Sequence, residues 1–147
     1  MMIAHKLLQL DNPVDLVIGT GESHTIREFV EQAFAYCGIE IAWVGSGLNE
    51  VGVVHSISRE WDTILKIGDI LVKIDEQYFR PTEVNYLLAD IEKAKRLLDW
   101  EPKVKFDSLV QIMMDFDLYK YKVRKELKTL NLLQSLGFEW TSELTND

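Results

Sequence analysis

The sequence predicts an α/β domain, because short apolar runs of strand length alternate along it with segments of helical period. Its 147 residues correspond to one average domain and are too few for two. Hydrophobic residues make up 47% and charged residues 27%, which is the balance of a chain that folds and not of a long disordered segment.

The N-terminal elements are marked by residues that end or begin regular structure. Residues 2–10 predict a short helix, which ends at Asp11-Asn12-Pro13 because the residue before a proline disfavours helical geometry. The apolar run Leu16-Val17-Ile18 predicts a buried strand within residues 15–20, and Gly19 to Glu22 then predict a turn.

The clearest helix follows this turn. Thr25 and Glu28 have the spacing of a capping box, and Gly38 stands where a helix-terminating glycine is typical. Between them, one apolar face is formed by Ile26, Phe29, Val30, Ala33, Phe34 and Cys37. We expect the Cys37 thiol, at the end of this face, to be buried.

The middle of the chain predicts further strands. Residues 39–44, 69–75 and 84–89 are apolar runs of strand length, whereas 45–66 contains Gly45, Gly47 and Gly52 and predicts a loop.

The C-terminal third predicts helices. Asp90 can cap a helix over 91–98, and Asp107 can cap a second helix with Phe106, Leu109, Val110, Met113 and Phe116 on one face. A last apolar stripe runs through residues 118–137 as Val123, Leu127, Leu130 and Leu136.

Charge and composition exclude several classes of function. A net charge of −8 argues against a nucleic-acid surface, which needs clustered lysine and arginine. No run approaches the ~18 apolar residues of a membrane span, so we expect a cytoplasmic protein. A single cysteine and three histidines predict neither an intrachain disulfide nor a metal site.

Two familiar motifs are present only in part. Gly19 and Gly21 begin a dinucleotide fingerprint, but His24 occupies the place of its third glycine, so a structural turn is the better interpretation. Tyr121 and Lys125 match the spacing of a dehydrogenase tyrosine–lysine pair, but they lie on a late charged segment with no nucleotide-binding unit before it. We interpret them as a solvated helix face.

The segment Arg80-Pro81-Thr82-Glu83 is more informative. The arginine fork suits phosphate, and a carboxylate three residues later can accept hydrogen bonds from sugar hydroxyls. On this chemistry alone a surface salt bridge is the better interpretation of the segment. Arg27 lies in the first turn of its helix, where pairing with a nearby acid is the simpler interpretation. His24 can contact a ligand at the helix start, although a turn histidine is the default.

Several segments together resemble one family, the GDP-mannose 4,6-dehydratases, which are extended short-chain dehydrogenase/reductases. The matching segments are DLVIGTGESHTIREFV at 15–30, GIEIAW at 38–43, YFRPTEV at 78–84, KAK at 93–95 and LDWEPK at 98–103. The resemblance covers residues 1 to about 118, departs from the family at 51–66, and finds no clear counterpart for the tail.

The resemblance implies the C-terminal substrate-binding domain of such an enzyme, without its Rossmann domain. Residues 1–118 would form a GDP-sugar-binding domain and 119–147 a helical tail. The family binds NADP and carries its catalytic groups upstream, so we expect no catalytic and no cofactor-binding residue here. Strand 15–20 would be the last strand of a sheet that is missing, and its open edge predicts a homo-oligomer.

The resemblance also implies a function. The family converts GDP-mannose to GDP-4-keto-6-deoxymannose, placing the arginine equivalent to Arg80 near the diphosphate and the glutamate equivalent to Glu83 near the ribose. Alone, the chain is expected to be inactive and to bind GDP or GDP-mannose weakly. The alternatives are one chain of a split enzyme, completed by a separate Rossmann chain, and a non-catalytic oligomerisation or interaction module.

Overall fold

A computed structural model describes residues 2–58, 61, 64–78, 80, 82, 84, 86–121, 123 and 126–137. In chain order the helices and strands are α1 (Met2–Leu8), α2 (Ile26–Tyr36), β1 (Ile39–Val44), β2 (Val51–Ile57), β3 (Ile70–Lys73), α3 (Glu92–Leu98), α4 (Phe106–Lys120) and α5 (Leu130–Ser135). Short 3-10 turns occupy Gly47–Asn49 and Glu76–Tyr78. The α/β class is therefore confirmed.

The strands form one antiparallel sheet in the order β1-β2-β3. Its central strand, β2, lies within residues 45–66, so the prediction of a loop there was wrong. The prediction interpreted Gly52 as a loop residue. This glycine lies inside the sheet, where an added Cβ would lie 3.0 Å from both Ile41 Cγ2 and Val72 Cβ. A glycine can mark close approach of neighbouring strands as well as a turn.

Helix α2 begins and ends as its sequence predicts. The Thr25 hydroxyl accepts a hydrogen bond from the Glu28 N–H at 3.1 Å, and the Thr25 N–H donates to the Glu28 carboxylate at 2.9 Å. Gly38 follows the helix with φ of 79°, a left-handed conformation that favours glycine. The buried Cys37 thiol is confirmed as well.

The core lies between α2, the sheet and α4. Cys37, Ile39, Val54 and Leu118 are buried together, with further partly buried apolar side chains around them. The indole N–H of Trp61 donates to the Cys37 carbonyl at 2.7 Å, which joins the segment after β2 to the end of α2.

Helix α4 begins one residue earlier than its predicted cap. Lys105 occupies the N-cap position without a side-chain cap, so the prediction that Asp107 caps this helix was wrong; Asp107 lies in the first turn. Further along, Asp115 is fully buried and accepts hydrogen bonds from the Thr129 N–H and hydroxyl at 2.9 and 3.0 Å and from the Tyr36 hydroxyl at 3.1 Å. This carboxylate ties the chain preceding α5 to α4 and α2.

Helix α3 confirms the prediction for residues 91–98. Ile91 occupies the N-cap position, so the prediction that Asp90 caps this helix was wrong, although the Asp90 carboxylate accepts from the Glu92 N–H at 3.1 Å. Lys6 on α1 donates to the carbonyls of Leu98 and Asp99, both at 2.8 Å, which fixes α1 against the end of α3.

Two predicted strands are absent from the described residues. Residues 13–18 and 86–90 have no regular secondary structure, so the strands predicted at 15–20 and 84–89 were wrong. A strand exists only when its backbone pairs with a neighbour, and neither segment belongs to the described sheet. Their apolar side chains remain exposed, including Val17, Ile18, Val84, Tyr86, Leu87 and Leu88.

Across the part of the chain that the structure describes, every helix is too short or too polar to cross a bilayer. Those same residues contain no group of three or more histidine, cysteine or acidic side chains placed to hold a metal ion.

Candidate functional site

A pocket of about 870 Å³ opens at one end of the sheet. Antiparallel pairing brings Val44, Val51 and Lys73 into register, so β1 and β3 end where β2 begins. The first turns of α2 lie over this end, and the chain after β3 closes the other side. The described lining residues are Ile26, Arg27, Val30, Trp43, Glu50, Val72, Lys73, Ile74, Asp75, Tyr78 and Arg80.

Trp43 provides an aromatic surface within the pocket. Residues alternate in direction along a strand, so Trp43 shares a sheet face with Ile39 and Ile41, which pack in the core. Its indole N–H donates to Glu31 Oε1 at 2.7 Å, which fixes the ring plane against α2. The sheet and α2 therefore position this aromatic ring together.

Arg27 lies directly over that ring. Its guanidinium carbon is 4.2 Å from the centre of the Trp43 ring, a cation–π contact, and its Nη2 donates to Glu50 Oε2 at 2.6 Å. The interpretation of Arg27 as the partner of a nearby acid is confirmed. The structure also places this ion pair on the pocket wall, which its sequence position did not indicate.

Arg80 also lines the pocket. The Asp75 carboxylate accepts from the Gln77 N–H at 2.9 Å, and the Asp75 carbonyl accepts from the Tyr78 N–H at 3.1 Å. These bonds stabilise the 3-10 turn at Glu76–Tyr78, and Tyr78 and Arg80, at its end and just after it, line the pocket. Among the described residues, Arg80 is exposed and its guanidinium has no hydrogen-bond or ion-pair partner.

The charges on the lining favour a small anion. The chain carries a net charge of −8, yet the pocket collects three cations, Arg27, Lys73 and Arg80, against the carboxylates of Glu50 and Asp75. Glu50 neutralises Arg27, which leaves Lys73 and Arg80 facing one carboxylate. Combined with the apolar and aromatic walls, this arrangement suits a ligand that has both an anionic and a planar part.

The other candidate residues lie elsewhere or outside the described residues. Glu83 and Lys125 belong to the positions that the structure does not describe, so the expected role of Glu83 near the ribose remains a prediction. His24 does not line the pocket. It stacks on Phe106 with ring centres 3.8 Å apart and planes 7° from parallel, and its Nδ1 is 3.4 Å from Glu28 Oε2.

A charged cluster beside His24 joins the turn before α2 to the start of α4. Lys105 Nζ lies 3.0 Å from Glu22 Oε1, and the Phe106 N–H donates to Glu22 Oε2 at 3.3 Å. The hydrogen bond from Lys105, followed by that from the Phe106 backbone, lowers the pKa of Glu22 from its ordinary value of 4.5. The positions of Lys105 and His24 are thus accounted for by contacts within the fold.

Sequence reasoning missed Trp43, Lys73 and Tyr78 as pocket residues. Trp43 could have been found as a large aromatic side chain at the end of an apolar strand face. Lys73 and Tyr78 required knowledge of which sheet end carries the pocket, and that depends on the unrecognised strand β2.

Comparison with known proteins identifies the family. The family model described as GDP-mannose 4,6 dehydratase matches residues 1–113. This chain belongs to the GDP-mannose 4,6-dehydratase family. A relative of that name from Yersinia enterocolitica is 43% identical over 133 residues, which is 90% of this chain and 36% of the relative.

Two animal relatives named GDP-mannose 4,6 dehydratase agree. The Drosophila melanogaster protein is 46% identical and the Homo sapiens protein 44% identical, each over 112 residues and 76% of this chain. The chain spans 26% and 27% of their lengths, so it represents only part of each relative. The longer Yersinia match necessarily extends past residue 118, so part of the tail does have a family counterpart.

Proposed function

We propose that this chain is the nucleotide-sugar-binding part of a GDP-mannose 4,6-dehydratase, equivalent to the family's C-terminal domain. The observation that carries the proposal is the Arg80 guanidinium, which stands without a partner among the described residues, at the rim of a pocket lined by Trp43, Tyr78 and Lys73. A diphosphate would lie against Arg80, and Glu83 would accept hydrogen bonds from the ribose. Residues 1–118 would form this domain, with 119–147 as an appended tail.

The glycine turn does not fit the pyrophosphate of NADP, the cofactor that the family resemblance implies. A dinucleotide loop needs open backbone, whereas a Cβ on Gly19 would lie 2.9 Å from Ala89 Cβ and one on Gly21 3.2 Å from Ile91 Cδ1. Lys105 also donates to the Thr20 carbonyl at 2.9 Å, and the Glu22 carboxylate adds a negative charge beside the turn. The glycine turn of this chain therefore does not provide a site for NADP.

The proposal includes weak binding and no turnover by the chain alone. The described lining residues can hold an anion, but hydride transfer from the sugar requires a cofactor site that the glycine turn does not provide. We expect a dissociation constant for guanosine diphosphate on the order of millimolar. We also expect no keto-sugar product from GDP-mannose and NADP in a preparation free of host enzyme.

NMR titration of the labelled chain with guanosine diphosphate tests the site. Arg80→Ala should weaken binding about tenfold, the effect of losing one hydrogen-bonded charge. Arg96→Ala removes the same charge from the exposed side of α3 and serves as the matched control. Equal affinities of wild type and Arg80→Ala, or micromolar binding that ignores Arg80, would contradict the assignment.

A second candidate is an interaction module. The exposed apolar side chains at 84–88, together with Val17 and Ile18, favour it, because monomers rarely expose large contiguous apolar patches. Gly19 and Ala89 are in close contact, which places the two segments beside each other. The occupant would be a second copy of this chain or, in a split enzyme, a separate Rossmann chain.

A further inference from the structure

The Arg27–Glu50 pair lines the same pocket as Arg80. Both side chains line the cavity, with 43% of the Arg27 side chain and 20% of the Glu50 side chain exposed. Arg27 has one hydrogen bond to a described residue, from Nη2 to Glu50. The other N–H groups of its guanidinium therefore have no partner in the described part of the chain, and a ligand can use them.

Trp43 holds the guanidinium in place independently of Glu50. The stacking contact at 4.2 Å engages the face of the guanidinium, whereas Glu50 engages one N–H at its edge. A partly exposed ion pair contributes little stability in water, so an anionic ligand can replace the Glu50 carboxylate at small cost. After such an exchange the Trp43 contact would keep Arg27 over the cavity.

We propose that Arg27 is a second phosphate-binding arm of this pocket and that Glu50 competes with the ligand for it. This inference rests on the proposed function, because it takes the ligand to be the same nucleoside diphosphate that Arg80 would bind. Arg27 and Arg80 would contact the diphosphate from two sides of the pocket. Glu50 would weaken the binding of every phosphate-bearing ligand and would leave the affinity for an uncharged nucleoside unchanged.

The competing explanation is that the pair only fastens α2 to the loop before β2. The two explanations differ in the effect of Glu50→Gln. A fastening role predicts that loss of the carboxylate loosens the pocket and leaves ligand binding equal or weaker. Competition predicts tighter binding, and only while Arg27 is present.

The experiment measures binding of guanosine diphosphate, inorganic diphosphate and guanosine by NMR titration. The proteins are wild type, Glu50→Gln, Arg27→Ala and the double variant. Glu50→Gln should bind both diphosphates about fivefold more tightly, the scale of one partly exposed ion pair, with guanosine unchanged. Arg27→Ala should bind them about fivefold more weakly, and Glu50→Gln should add nothing in the Arg27→Ala background.

Matched controls separate a local effect from a change in net charge. Glu92→Gln removes a carboxylate that is paired with Lys95 at 3.0 Å outside the pocket, and Arg96→Ala removes an arginine outside it. The inference is overturned if Glu50→Gln behaves like Glu92→Gln, or if its gain persists without Arg27.

Failure of the inference and failure of the proposed function give different results. If Arg80→Ala weakens binding while the Arg27 and Glu50 variants match their controls, only the second arm is refuted. If guanosine diphosphate does not bind the wild type, or Arg80→Ala has no effect, the proposed function fails and the second arm fails with it.

Discussion

Strand β2 and the segment 84–90 have similar apolar content but differ in burial and in strand formation. In β2, Val54 is 1% exposed at the centre of the sheet, whereas Leu87 is 78% exposed within residues 86–90, which have no regular structure. Strand β2 has antiparallel neighbours on both sides: β1, which precedes it in the chain, and β3, which follows it. The described residues of the segment 84–90 lie outside the described sheet. Apolar composition alone therefore does not make a strand; an available backbone partner does.

The comparison separates two sets of apolar side chains. Those around β2 are buried by the chain itself and should control its stability. Those at 84–88 and 17–18 remain exposed and should control what the chain associates with. Changes to the two sets should therefore alter different properties of the chain.

The largest expected effect comes from a matched pair of leucine truncations. Leu118→Ala removes a side chain that is 8% exposed in the core, and should lower the free energy of unfolding by about 2–5 kcal/mol. Leu87→Ala should change it by less than about 0.5 kcal/mol, because Leu87 is largely in solvent. Urea unfolding followed by circular dichroism measures both.

The division fails if the two leucine variants have similar stabilities. A large loss from Leu87→Ala would mean that residues 84–88 belong to the folded core. A small loss from Leu118→Ala would mean that α4 is not needed to close it.

Local signals in the sequence predicted the helices and two of the three strands. The Thr25–Glu28 capping box and Gly38 act over a few residues, so α2 was predictable to within a residue at each end. Strand β2 was not, because Gly52 reads as a turn residue until Ile41 and Val72 are known to flank it. The predictions of strands at 15–20 and 84–89 were wrong for a different reason. The sequence of each segment shows its apolar content but does not show whether its backbone has a neighbouring strand to pair with.

The site was predictable only where chemistry is carried by a local motif. Arg80 was found from the arginine–proline segment and from the family resemblance. The group formed by Arg27, Trp43 and Glu50 was not predictable, because these residues meet only after α2 packs on the sheet end. Cation–π contacts and ion pairs between different elements leave no fixed spacing in the sequence.

A smaller effect is expected on self-association through the exposed segments. Leu87→Lys should weaken dimer or oligomer formation roughly tenfold, because it places a charge within the apolar patch while leaving the fold intact. Sedimentation velocity over a range of concentrations measures the change. Leu8→Lys, at an 81% exposed position on α1, is the control.

Two results would contradict the association prediction. A dimer with a dissociation constant of about one micromolar would be largely formed at roughly tens of micromolar. A wild-type chain that is monomeric at that concentration would show that the patch does not bind a second copy. An equal effect of Leu8→Lys would show that any added surface charge disperses the protein.

The smallest effect concerns the Glu22–Lys105 ion pair, which connects the turn at residues 20–24 to the start of α4. The folded-state pKa of Glu22 lies below its ordinary value of 4.5, chiefly because Lys105 donates a hydrogen bond to the carboxylate. The unfolded chain therefore binds this proton at higher pH than the folded chain does. The stabilising contribution is complete above pH 4.5 and is lost as the pH falls from there through the folded-state pKa.

Lys105→Met should return the Glu22 pKa toward 4.5 and remove this part of the acid sensitivity. An NMR titration of the Glu22 carboxyl and unfolding curves on both sides of pH 4.5 would measure these two effects. Lys103→Met removes a neighbouring exposed lysine and should leave the Glu22 titration unchanged. If Glu22 titrates alike in all three proteins, the pKa of Glu22 is not set by Lys105. The turn is then held to α4 by the His24–Phe106 stack and the Phe106 N–H.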